Sequence, residues 1–247
     1  MIKNIINQLL VRGRAFVILK KLLRRLFYAK YKSDLKWLIT TSEDPNLYMQ
    51  KNDNKLYDET NSISKLLSNK YQKKIETLDV KLGGAANCDL LYFLIRKLEP
   101  EIIFETGVAA GFSSATILTA IKKNKKGTLF SSDFPYFRIE NPENYIGILV
   151  DSELQNNWKL EIEGDVVNIK KFLKQVEKID LFHYDSDKSY NGKKLVFNLV
   201  KSKMKKGSVF IFDDIQDDRF FKDIVEEFNY DFKVFKFNNK YIGLIQF

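Results

Sequence analysis

The stretch EIIFETGVAAGFSS, residues 101 to 114, runs from a short apolar segment through a turn holding Gly107 and Gly111 into a helical pattern. Glycine in such a turn lets the backbone bend sharply and lets a ligand come close to it, which suits a nucleotide-like cofactor. A tight strand-to-helix turn also needs glycine for its own geometry, so the neighbouring sequence has to decide. Further along, the same alternation repeats. The apolar runs GTLFSSD (127 to 133), WKLEIEGD (158 to 165), IDLFHYD (179 to 185) and GSVFIFDD (207 to 214) are separated by helix candidates at 112 to 123, 142 to 154, 166 to 177, 189 to 205 and 217 to 227. A further helix is predicted over 88 to 98, with Asn87 as its N-cap. Strands alternating with helices predict right-handed crossovers and a mostly parallel α/β sheet covered on both faces. The chain closes on YDFKVFKF (230 to 237) and KYIGLIQF (240 to 247), joined only by Asn238 and Asn239. Two residues cannot hold a crossover helix, so these runs form a hairpin and the last strand is antiparallel.

The 247 residues are 45% hydrophobic and 14% aromatic, ample for a packed core. The formal charge of +9 is concentrated at one end: residues 1 to 40 hold ten lysines and arginines against the single acid Asp34, and the remainder is balanced. A basic arm on a neutral domain does not favour nucleic acid as the partner of the whole protein. The segment AFVILKKLLRRLFY (15 to 28) has a helical period with a cationic face. It either packs on the domain with solvated charges or lies on an anionic membrane, where it would meet a lipid-linked substrate. Residues 41 to 80, polar with one helical candidate near 62 to 73, read as a connector or lid. This divides the chain into an N-terminal extension (1 to 80) and a main domain (81 to 247). One cysteine, Cys88, excludes an internal disulfide, and one histidine, His183, makes Cys/His zinc clusters implausible. No apolar stretch near the N-terminus reaches membrane-spanning length, which predicts a cytoplasmic chain that can sit peripherally on a membrane.

The acids are regularly placed. Glu105, Asp133, Asp165, Asp185 and the pair Asp213-Asp214 each fall at or just past the carboxyl end of an apolar run. In an open parallel sheet those ends share one edge, and ligands bind in the crevice outside it. Asp133, 26 residues after Gly107, is placed to accept hydrogen bonds from ribose hydroxyls, and Gly164-Asp165 to meet an adenine edge.

The order of elements, the E-x-G-x-x-x-G turn, the Asp after the second strand, the EGD after the third and the terminal hairpin together resemble the class I S-adenosylmethionine-dependent methyltransferases, over about residues 80 to 247. The resemblance implies a Rossmann-like seven-stranded sheet in the order 3-2-1-4-5-7-6. It implies that Glu105, Gly107 and Gly111 line the methionine part of S-adenosylmethionine, with Ser113 at the following helix start, and that Asp133 holds the ribose and Asp165 lies beside the adenine.

Strands in a sheet lie about 4.8 Å apart, so Asp185 and Asp213-Asp214 would crowd one another unless a cation sat among them or one took up a proton. All-oxygen ligation suits Mg²⁺, Mn²⁺ or Ca²⁺. Such an ion would chelate two vicinal hydroxyls of an acceptor and lower a hydroxyl pKa. The pattern D-x-D-K followed by F-D-D resembles cation-dependent O-methyltransferases of the antibiotic-sugar and the catechol or caffeoyl-coenzyme A types. That implies Asp185, Asp213 and Asp214 as metal ligands, Asp185 also facing the cofactor, and Asp187 or Lys188 as the base. The segment DSDKSY also resembles the D-S-D-H-[ST]-Y of glycan-cluster methyltransferases, with Lys188 in the place of His. His183 lies on the strand itself and reads as a packed core residue. The expectation is an O-methyltransferase acting on a small molecule or glycan, a sugar first. A nicotinamide-dependent oxidoreductase would share the glycine turn and Asp133 but has no use for three acids at the fourth and fifth strands. A non-catalytic protein docking on membranes or RNA through its basic arm is the other rival.

Overall fold

The computed structural model describes residues 2–11, 14–15, 17–19, 32–80, 82, 84–85 and 87–247. Most of the cationic helix expected over 15 to 28 lies outside the described residues. The described residues build an eight-stranded sheet from β1 (Ser42–Glu43), β2 (Ile102–Thr106), β3 (Thr128–Ser132), β4 (Trp158–Glu161), β5 (Ile179–Tyr184), β6 (Met204–Phe212), β7 (Asp231–Phe237) and β8 (Lys240–Gln246). The spatial order is β1-β7-β8-β6-β5-β2-β3-β4, and β8 runs antiparallel to both β6 and β7. From β2 to β8 this is the expected topology. The addition is β1, whose two residues pair in parallel with Val234 and Phe235 and cover the β7 edge, so the expected count of seven is corrected to eight. A two-residue strand in a polar segment has no periodicity for sequence reasoning to detect.

Period-two alternation sends the central strands' side chains to two layers. Ile103, Leu129, Leu181, Val209 and Ile211 face the helices Cys88–Leu98 and Phe112–Asn124, while Phe104, Phe130, Phe182, Phe210 and Phe212 face Asp165–Leu173, Tyr190–Val200 and Phe220–Phe228. Each buried aromatic contributes roughly 1.5–3 kcal/mol, so the phenylalanine layer anchors the strands whose ends carry the acids. Asn87 caps its helix as expected, accepting from the Leu90 N–H at 3.0 Å.

Between 41 and 80, where the sequence suggests a connector or lid, helices Pro45–Asn52 and Asn54–Glu76 place Met49, Leu67 and Tyr71 in the same core as the sheet. The expected helix at 142 to 154 is replaced by two short 3₁₀ turns, Pro142–Tyr145 and Ser152–Asn157. Gly147 between them adopts φ +69 against the Trp158 ring. The Gly147 and Leu149 N–H groups are used outside any helix, donating to the carbonyls of Ala109 (2.9 Å) and Ala110 (3.0 Å), so the segment braces the glycine turn. No helix among the described residues is long and apolar enough to cross a membrane.

Candidate active site

The carboxyl ends of β2 to β5 open onto a cavity of about 590 Å³, within the range of small-molecule sites. Its first end is built around Gly107, at φ +88. A Cβ there would stand 2.1 Å from the Asp185 carbonyl oxygen, so only glycine lets the turns after β2 and β5 pass each other. The Asp133 carboxylate accepts from the backbone N–H groups of Ala109 and Phe134, both at 2.6 Å, and so ties the glycine turn to the end of β3. Asp165 accepts from the Ser132 hydroxyl at 2.8 Å, and Asn168 Nδ2 donates to Ser132 Oγ at 2.9 Å. Ser113, in the first turn of helix Phe112–Asn124, and Phe134, close to Gly164, complete this end.

Of the residues expected at the site, Gly107, Ser113, Asp133, Asp165, Asp185, Asp187 and Lys188 line the cavity; Glu105, Gly111, Asp213 and Asp214 do not. Glu105 is buried behind the wall. One of its oxygens accepts from Ser114 (2.5 Å) and Ser131 (2.8 Å), and the other lies 3.7 Å from His183 Nδ1. It therefore secures the turn from beneath the cavity wall. Gly111, at φ +96, is needed for close packing: a Cβ would lie 2.9 Å from Gly147 Cα.

At the second end, the three carboxylates expected to hold a cation face different partners. Asp213 faces inward, with Oδ1 3.7 Å from Nε2 of the fully buried His183. These spacings are ion-pair contacts longer than hydrogen bonds. Burial alone would lower the His183 pKa, but the Asp213 and Glu105 carboxylates outweigh it and raise it to about 10, so the ring is an imidazolium at neutral pH. As expected, His183 is a core residue. Asp214, 2% exposed and at φ +53, is surrounded by donors. The Lys188 ammonium sits on Oδ2; Lys240 Nζ (3.1 Å) and Gln216 Nε2 (3.0 Å) sit on Oδ1. Burial would raise the Asp214 pKa, but these donors, Lys188 foremost, hold it below the usual carboxylate value. Burial likewise opposes the Lys188 charge, yet the bond to Asp214 keeps its pKa above that of an ordinary lysine. Burial, with the nearby Asp213 charge, pushes the Asp185 carboxyl up to about 7. Among the described residues, no group of three or more His, Cys, Asp or Glu side chains is arranged to hold a metal.

Sequence reasoning missed two supports of this end. Gly192 leaves room for Asp187, whose Cγ would be 2.4 Å from a Cβ at that position, and Asp187 Oδ1 accepts from the Ser189 N–H at 3.1 Å. Lys193 is 1% exposed; its ammonium donates to the Asp214 carbonyl (2.9 Å) and to Asp218 (3.0 Å), which fixes the left-handed turn at Asp214. The sequence carried a signal for it: Lys193 falls on the apolar stripe with Val196, Phe197 and Val200, where a cation needs a buried partner.

Residues 104–215 match a family model described as a methyltransferase domain. Solved structures share the fold. An O-methyltransferase from Bacillus cereus in complex with SAH is 14% identical, over 76% of this chain and 91% of that one, with a TM-score of 0.53. A methyltransferase from Geobacter sulfurreducens is 16% identical over 73% and 90%, at a TM-score of 0.55. The O-methyltransferase TomG from Streptomyces achromogenes, involved in tomaymycin synthesis and solved with SAM, is 16% identical over 73% and 88%, at 0.52. A comparison with curated protein sequences returns no match. The match over residues 104–215 agrees with the resemblance to the S-adenosylmethionine-dependent class read from the sequence.

Proposed function

We propose that this chain transfers the methyl group of S-adenosylmethionine to a hydroxyl of a small molecule or glycan, a sugar first. The observation that carries the reading is one cavity with two chemically distinct ends: Gly107, Asp133 and Asp165 at one, Asp187 and Lys188 at the other. The first end fits the cofactor. It has a glycine turn that admits close approach, a carboxylate at the ribose position, and Phe134 beside Gly164 and Asp165 to cover a base. When bound, S-adenosylmethionine supplies a methyl already activated on a sulfonium. The protein has then to orient the acceptor oxygen in line and take its proton. Asp187 is the base in this reading: it lines the cavity and is a carboxylate, whereas Lys188 is held as an ammonium by Asp214 and has no lone pair to receive a proton. The C–O bond forms as the C–S bond breaks, and the hydroxyl proton passes to Asp187.

The N-terminal segment bears on the acceptor. Val17 lines the cavity, Arg14 pairs with Glu143, and Asn4 donates to the Arg138 carbonyl at 3.3 Å. The described part of the N-terminal segment thus reaches the cavity at Val17, and with the basic composition of residues 1 to 40 this supports an acceptor presented at an anionic or lipid-linked surface. Calorimetry with S-adenosylhomocysteine, followed by a sugar panel assayed for S-adenosylhomocysteine release, tests the proposal. Micromolar binding and turnover of a hydroxylated acceptor are expected; binding of a nicotinamide dinucleotide in its place would overturn it.

A further inference from the structure

Asp185, Asp213 and Asp214 do not offer a divalent ion a vacant set of oxygens, and we infer that the Lys188 ammonium does at the acceptor what such an ion would do. The inference rests on the methyl-transfer reading above. Mg²⁺ and its relatives require several oxygen lone pairs aimed at one point, close to octahedral for Mg²⁺. Asp214 is already engaged through Oδ1 with Lys240 at 3.1 Å and Gln216 at 3.0 Å, through Oδ2 with Lys188, and through its carbonyl with Lys193 at 2.9 Å. An ion approaching it would stand beside two ammonium groups of like charge. Asp213 faces His183 and lies off the cavity wall, so Asp185 is the one member of the trio that lines the cavity.

Lys188 is itself on that wall, anchored by Asp214, with Nζ 4.0 Å from Asp185 Oδ1. A fixed ammonium donates a charge-assisted hydrogen bond to the acceptor oxygen and stabilises the negative charge that develops as Asp187 takes the proton. One consequence concerns the substrate. A metal ion gains from chelating two adjacent hydroxyls, whereas an ammonium needs only one oxygen. The acceptor therefore need not carry a vicinal diol, and methyl transfer proceeds without added metal.

The test uses the full chain and Mn²⁺ as the probe. Electron paramagnetic resonance titration of free Mn²⁺, with and without S-adenosylhomocysteine, is expected to show no stoichiometric site up to millimolar ion. One bound Mn²⁺ per chain that disappears in Asp214→Asn would overturn the inference. In turnover assays the rate should survive EDTA. Lys188→Met should lower kcat by roughly 10²-fold with S-adenosylhomocysteine affinity unchanged, and Lys188→Arg should recover part of the loss. A rate abolished by EDTA and restored by Mn²⁺ would also overturn it. Should the chain fail to bind S-adenosylhomocysteine, the methyl-transfer reading falls, and the Mn²⁺ titration still decides whether a cation site exists.

Discussion

At the β2–β4 end of the cavity Asp133 and Asp165 accept from neutral donors, the N–H groups of Ala109 and Phe134 and the Ser132 hydroxyl, whereas at the β5–β8 end Asp213 and Asp214 face the cations His183, Lys188 and Lys240. Neutral N–H and O–H donors fix the orientation of a carboxylate. Cations offset the charge, and Asp214 becomes the anchor of Lys188, a residue of the cavity wall. Similar acids at similar strand ends therefore sit in different surroundings, set by what packs against them.

The largest effect should come from closing the gap between the two ends. Gly107→Val places a side chain where a Cβ already meets the Asp185 carbonyl oxygen at 2.1 Å, and should abolish S-adenosylhomocysteine binding or leave the domain unfolded, seen by calorimetry and circular dichroism. Next, Asp187→Asn should lower kcat by roughly 10²–10⁴-fold while cofactor affinity holds; an equal fall in affinity would move Asp187 to a structural role. Lys193→Ala strands buried Asp218 without its partner and should cost about 3–5 kcal/mol in urea unfolding, the range for breaking a buried ion pair.

A smaller change is expected at the neutral end. Asp133→Asn should weaken S-adenosylhomocysteine about 10–100-fold by calorimetry, the worth of a charge-assisted hydrogen bond, with kcat at saturation little altered. The subtlest contrast is in pH. The His183 pKa rises from 6.5 unfolded to about 10 folded, so the folded state holds the proton more tightly. Its contribution to stability is complete below about pH 6.5 and is lost as pH climbs towards 10. Denaturant midpoints of the native chain should fall across that window more steeply than those of His183→Gln. Parallel curves would show that the Glu105–His183–Asp213 cluster carries no such charge.

Most of the fold was legible because it follows from local regularities. Apolar runs of strand length alternate with helical periods, Asn87 marks a helix start, and the two-residue link at 238 and 239 forces an antiparallel last strand. The exceptions share a cause. Strand β1 is too short to carry a period, and the 142 to 154 segment has helical spacing but gives its N–H groups to the Ala109 and Ala110 carbonyls, a demand arising elsewhere in the chain.

By itself the sequence determined the order of strands and helices and the row of acids along one sheet edge, since hydrophobic period and strand length are properties of neighbouring residues. The tertiary structure alone decided what those acids do. Whether Asp214 meets a lysine or a metal depends on Lys188, Lys193 and Lys240 arriving from three separate elements, and a carboxylate's charge, pKa and coordination are set by whatever packs within about 4 Å of it, not by its neighbours in the chain.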